Sequence, residues 1–134
     1  MTTLTTQYKG TLRTENIHTR SGSMVITDAP VDNQGKGEAF SPTDLVCTAL
    51  SSCMLTTMGI LANRENIDLK GMQTEVMKIM GSSPRKISEI QITLSHPTLQ
   101  VTEEQKQKLK NAALTCPVAL SLHDSVKQTV IFKF

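Results

Sequence analysis

The chain has no tryptophan, and Tyr8, Phe40, Phe132 and Phe134 are its only aromatic residues. Seven methionines take up part of the missing ring volume, and flexible thioethers suit irregular apolar packing. There is no excess of either charge sign. The formal net charge is +2, with no basic stripe or Arg/Lys block, so nothing here points to nucleic acid. No CxxC and no HxxxH occur, so a zinc site built from Cys53, Cys116 and one of His18, His96 or His123 has no spacing to support it. Serine-hydrolase and phosphate-loop patterns are missing too; Gly35-Lys36-Gly37 is too short and too far from Ser41 for a Walker loop. The N-terminus MTTLTTQYKG lacks a charged start followed by an apolar core, so no signal peptide is expected. Three cysteines, an odd number, then fit a cytoplasmic setting with thiols reduced at rest. No repeat, low-complexity tract or linker interrupts residues 1–134, and the length suits one domain.

What the chain does have is a run of nineteen uncharged residues, Leu45 to Asn63. Five hydroxyl side chains within it favour a buried helix over a membrane span. Ser41-Pro42-Thr43-Asp44 marks its start: a capping serine, a proline at the first helical position, and an acid in the first turn. The helix is expected to run to about Glu65 and, being small or apolar nearly all round, to be buried centrally. Upstream, Leu4–Arg13 and Ile17–Thr27 read as strands, with a turn at Arg20-Ser21-Gly22-Ser23 and a loop at Asp28–Gly37. Downstream, Leu69–Met80 and Ile87–Ser95 read as a hairpin pair. Thr102 caps a charged amphipathic helix to Leu114, Pro117–Leu122 forms a short helix, and Val126–Phe134 a closing strand. This order predicts an α+β fold, with helices on one side of an antiparallel sheet.

Cys53 sits in the middle of the uncharged run, and Cys116 directly precedes a proline. Free cysteine often does no more than pack. Cys47 and Cys53 are six residues apart on one helix, about 240° around it, so they cannot bridge. Cys53 and Cys116 can meet only through tertiary folding. Cys116 falls at a helix N-terminus, where backbone amides favour thiolate. Cys53 lies mid-helix and needs a cation from elsewhere. Of Arg13, Arg20, Arg64 and Arg85, Arg64 is too far along the same helix, and Arg13 or Arg20, from the N-terminal strands, are the candidate donors.

Gly35–Ala62 (GKGEAFSPTDLVCTALSSCMLTTMGILA) followed by Ala113–His123 (ALTCPVALSLH) resembles the OsmC/Ohr family, the osmotically inducible and organic hydroperoxide resistance proteins. The resemblance extends over nearly the whole chain. It implies an OsmC-like fold in an intertwined homodimer with two sites at the subunit interface, and thiol-dependent, peroxiredoxin-like reduction of organic hydroperoxides. On the family pattern Cys53 matches the peroxide-attacking cysteine and Cys116 the resolving one, joined as a disulfide after oxidation. Cys47 matches a non-catalytic position. Arg13 is the expected activating cation. Leu50, Met54 and Met58 are the expected apolar substrate pocket. No cofactor and no metal is implied; a lipoyl-type dithiol is the implied reductant, with no nucleic acid or membrane partner. The better-known branch carries Glu after the helix-start proline, paired with the active-site arginine. Here that position is Thr43, with Asp44 next to it. Restoring the acid by Thr43→Glu is therefore expected to raise activity at neutral pH if Arg13 is within reach, and Arg13→Ala to remove the gain. The alternative reading is a non-catalytic binder of apolar ligands, or a redox sensor, on the same fold.

Overall fold

A computed structural model describes all 134 residues. In chain order the elements are β1 (Leu4–Gly10), β2 (Arg13–His18), β3 (Met24–Asp28), α1 (Pro42–Arg64), β4 (Gln73–Gly81), β5 (Lys86–Ser95), α2 (Glu103–Leu114), α3 (Pro117–Ser121) and β6 (Lys127–Lys133). The chain divides into two compact units, Met1–Val46 and Cys47–Phe134. Helix α1 begins in the first unit and continues in the second.

The first unit is an antiparallel meander, β1-β2-β3. Its first turn corrects the expected Leu4–Arg13 strand. Gly10, Thr11 and Leu12 all have positive φ (81°, 52° and 61°), so the chain reverses there and Arg13 opens β2 instead of ending β1. Only glycine advertises that conformation in sequence; Thr and Leu adopt it at a cost. The second turn falls where expected, with Gly22 at φ 75° donating to the His18 carbonyl at 2.8 Å. The register sets Arg13 directly opposite Asp28. After β3 the loop folds back on itself: the amides of Gly35 and Gly37 donate to Pro30 and Ala29 carbonyls at 2.9 and 3.2 Å. A Cβ at Gly35 would strike the Ala29 carbonyl, so the approach needs glycine.

Helix α1 starts with a reciprocal cap. The Asp44 amide donates to Ser41 Oγ, and the Ser41 amide donates to Asp44 Oδ2, each at 3.0 Å. The helix is long and apolar enough to cross a membrane by length and composition alone. It is not buried all round, as had been expected. Cys47, Leu50, Ser51, Met54, Met58 and Ala62 form a buried stripe at three- and four-residue spacing, while Ala49, Ser52, Thr56 and Ile60 remain exposed on another line.

The second unit carries its own sheet, ordered β4-β5-β6. The expectation of one antiparallel sheet is thus corrected to two, and β6 runs parallel to β5. A parallel return needs a long crossover, which α2 and α3 supply. In β5, Ile87 and Ile90 are both buried although three residues apart. The pairing explains it: Ile79 faces Glu89 and Met80 faces Ile87, so Ser88 is an extra residue that resets the alternation. Helix α2 starts at a capping box of Thr102 and Gln105, and α3 has Pro117 in its first turn with Cys116 as N-cap. The core here is built by Leu50, Met54, Met58, Ile90, Ile92 and Leu94, all fully buried.

Candidate functional site

The second unit brings Cys53 of α1 near Cys116 at the head of α3, close enough for the Cys53 thiol to perturb its neighbour. Both are free. They are unlike in exposure: Cys53 is half-buried, and Cys116 is fully buried. Burial pushes the Cys116 thiol up from its ordinary value, and the Cys53 thiol beside it adds to the rise. The backbone amides of Ala119 and Val118 pull the other way. The expected thiolate-stabilising helix end is therefore real but outweighed: one short helical turn does not offset loss of solvent. Cys47 is buried on the same stripe as Leu50 and Met54.

The first unit contains a clamp on Arg13. Its Nε donates to Asp28 Oδ1 at 2.7 Å and its Nη2 to Oδ2 at 2.8 Å, a bidentate pair. The Glu38 amide donates to the same Oδ2 at 3.1 Å, and the Glu38 carboxylate lies 3.6 Å from Nη2. The Asp28 side chain is fully buried, while that of Arg13 is 30% exposed. The guanidinium holds the Asp28 carboxyl below its usual range, with help from the Glu38 amide and Lys36, and the carboxylate raises Arg13 in return. The Nη1 group of Arg13 makes no hydrogen bond within the chain. Arg20 is exposed beyond β2 and forms no ion pair.

Asp28 and Glu38 were not singled out by sequence reasoning. Asp28 read only as the start of a loop. A rule that a buried carboxylate must find a cation would have found it only once its burial was known. Thr43 Oγ1 lies 3.2 Å from Ser41 Oγ, and Asp44 is engaged at its own helix start. The expected pocket residues Leu50, Met54 and Met58 are each fully buried, on the packed stripe of α1. The open apolar surface of α1 lies on another face. A groove of about 460 Å³ is lined by Thr57, Ile60, Leu61, Arg64, Ala112 and Thr115 among others. Thr57 is one turn beyond Cys53, and Thr115 adjoins Cys116. In the first unit a second apolar recess of about 280 Å³ is floored by Leu4, Ile17, Val25 and Leu45.

No three His, Cys, Asp or Glu side chains gather as a metal site. His18 and His123 bond locally, to the Ser21 and Ser125 hydroxyls, and His96 bonds the distant Lys70 carbonyl.

The family model described as OsmC-like protein matches residues 35–130. The chain belongs to the OsmC-like family. A crystal structure from Psychrobacter arcticus, provisionally described as an osmotic stress induced and detoxification response protein, is 50% identical, with a TM-score of 0.94 over 98% of this chain and 96% of that one. An OsmC-like protein of unknown function from Vibrio cholerae is 15% identical, with a TM-score of 0.77 over 96% and 97% of the two chains. An organic hydroperoxide resistance protein, OsmC, from Legionella pneumophila is 16% identical, with a TM-score of 0.70 over 100% and 97%. The last two share the OsmC-like fold with this chain. No curated protein matches it.

Proposed function

We propose that this OsmC-like protein is a thiol-dependent peroxidase that reduces organic hydroperoxides. The observation that carries the reading is the proximity of a half-buried Cys53 to a fully buried Cys116. Such a pair fits a two-step order. The more accessible sulfur meets the oxidant; the buried one waits beside it, shielded and held as thiol. The name of the Legionella neighbour, an organic hydroperoxide resistance protein, supports the same class.

In the first step the Cys53 thiolate attacks the distal oxygen of ROOH. The O–O bond breaks, the alkoxide takes a proton and leaves as ROH, and Cys53 becomes a sulfenic acid. In the second, the Cys116 sulfur displaces hydroxide, which leaves as water with the Cys116 proton, and the Cys53–Cys116 disulfide forms. A dithiol of lipoyl type then reopens it by exchange, returning both thiols and leaving as its own disulfide. Arg13, from the same or a second copy, is the cation assigned to the thiolate and the peroxide oxygens. The apolar groove at Thr57, Ile60 and Leu61 suits a bulky organic hydroperoxide better than hydrogen peroxide.

The working form is proposed to be a cytoplasmic homodimer. Tyr8, Met24 and Phe40 are 63%, 53% and 54% exposed in the first unit, and Ile60 is 51% exposed on α1, apolar surface that a second copy would cover. The deciding experiment measures consumption of cumene hydroperoxide against hydrogen peroxide, with dihydrolipoamide or dithiothreitol as reductant. Turnover that is lost in Cys53→Ser and prefers the organic peroxide supports the reading. No turnover sinks it in favour of a binder or sensor. A monomer mass by light scattering at micromolar concentration sinks the dimer.

A further inference from the structure

Arg64 ends α1 exposed, and it makes no hydrogen bond or ion pair within the chain. A cation in the last turn of a helix ordinarily complements the backbone carbonyls there and does no more. Arg64 also lines the apolar groove of about 460 Å³ between α1 and α2, at the end away from Cys53. We propose that Arg64 is a specificity-determining residue of that groove, selecting hydroperoxides that carry a carboxylate at the far end of a long apolar chain. This deepens the peroxidase reading and rests on it.

The helix itself sets the distance. Cys53, Thr57, Ile60 and Arg64 follow one another at steps of four, three and four residues, so they share one face of α1. Arg64 lies eleven residues beyond Cys53, about 16 Å along the axis at about 1.5 Å each. An extended chain of about a dozen carbons covers that length, with bonds of about 1.5 Å at tetrahedral angles. Cumene hydroperoxide is too short to touch both ends. Between the ends, Ile60 and Leu61 of α1 and Ala112 of α2 offer apolar surface to such a chain. The charges are sorted to match. Two cations line the groove, Arg64 and Lys108, and no acid does. Lys108 is already engaged: the Glu65 carboxylate lies 3.4 Å from its Nζ and that of Glu104 3.7 Å. Arg64 is therefore the cation left to receive an anion, and its planar fork matches a carboxylate.

The test uses the full-length protein and two readouts. One is turnover of linoleic acid hydroperoxide against its methyl ester, which has the same chain and peroxide but no charge. Both are held below their micelle-forming concentrations, with dithiothreitol as reductant. Wild type should favour the acid in kcat/KM. Arg64→Gln should lower the acid-to-ester ratio about fivefold, the upper end for one exposed ion pair, chiefly through KM. Arg64→Lys should recover most of that ratio, and added salt should weaken the acid's advantage in wild type. A ratio in Arg64→Gln within twofold of wild type overturns the proposal. The other readout is binding of linoleate itself by titration calorimetry, which needs no turnover and should weaken about fivefold in Arg64→Gln. Wild-type protein that binds linoleate through Arg64 yet consumes no hydroperoxide sinks the peroxidase reading alone. Linoleate that fails to bind wild type overturns the proposal. So does linoleate that lowers the mass measured by light scattering, because the groove is then filled by a second copy.

Discussion

Met54 tests whether the apolar residues of α1 are core or pocket. The side chain is fully buried, within a stripe that also contains Leu50 and Met58. Met54→Ala removes the terminal methyl, the sulfur and one methylene. At about 0.8 kcal/mol per buried methylene equivalent, the lost transfer free energy is about 2.4 kcal/mol. A residual cavity adds to this, since neighbours relax only partly, and measured Met→Ala losses run from about 2 to 5 kcal/mol. About 3 kcal/mol is the central expectation, a change of about 150-fold in the folding equilibrium at about 1.4 kcal/mol per decade. For a chain of this size that lowers the melting temperature by about 10 °C. Urea and thermal unfolding at one fixed protein concentration measure it, because any self-association makes the midpoint concentration-dependent. Met54→Leu, similar in volume, should cost less than about 1.5 kcal/mol. If Met54 lined a substrate pocket instead, the alanine variant would lose little stability and change its preference among hydroperoxides. A loss below about 1 kcal/mol together with altered selectivity refutes the core assignment.

The cysteines should separate cleanly under peroxide. Cys53→Ser abolishes turnover, Cys116→Ser traps or over-oxidises Cys53, and Cys47→Ser is nearly silent; mass spectrometry showing a Cys47–Cys53 bridge would refute the pairing. Cys116 also predicts an alkaline limit. Burial raises its folded value, so its contribution to stability is complete below the free-thiol value of about 8.5 and is lost as pH rises through the folded one. Urea midpoints from pH 7 to 10 should fall more steeply for wild type than for Cys116→Ala; parallel slopes refute this. Ser41→Ala removes a buried cap and should cost about 1 kcal/mol, or about 3 °C by thermal melt.

Helix starts were legible because their signals are local. Ser41 with Asp44, Thr102 with Gln105, and Pro117 each satisfy or avoid a backbone donor within four residues. The thiol pair was legible only through resemblance, since no spacing on a helix and a distant loop can bring Cys53 to Cys116. The first turn was not legible, because Thr11 and Leu12 take left-handed backbone that their side chains do not favour. The clamp was lost with that turn. Placing Arg13 at the end of β1 hides its register partner, and a one-residue slip moves every side chain to the other face. The parallel direction of β6 has no signature in its own seven residues; the two helices before it were the cue. Cys116 shows the remaining gap, as its exposure comes from packing and not from neighbours in sequence.

The pairing of Arg13 with Asp28 bears on one expectation drawn from the family pattern. With Thr43 in place of the acid, adding a carboxylate at the helix start looked like a repair. In the structure Arg13 already holds a carboxylate, that of Asp28. The Nε and Nη2 of Arg13 are filled by Asp28, and Glu38 stands 3.6 Å from Nη2. Only Nη1 is left to give. A glutamate at 43 that reached Arg13 would take those donors away from the hydroperoxide, and one that did not reach it would change nothing. It would also replace the Thr43 hydroxyl beside Ser41 Oγ, at 3.2 Å, with a second acid next to Asp44. Thr43→Glu should therefore leave hydroperoxide turnover at pH 7 unchanged or lower it. In an Asp28→Asn background, where Arg13 has lost its carboxylate, the same substitution should raise turnover above that of Asp28→Asn alone. Turnover above wild type in the Thr43→Glu protein would show that Arg13 still lacks a carboxylate, and the clamp could not then be what orients it.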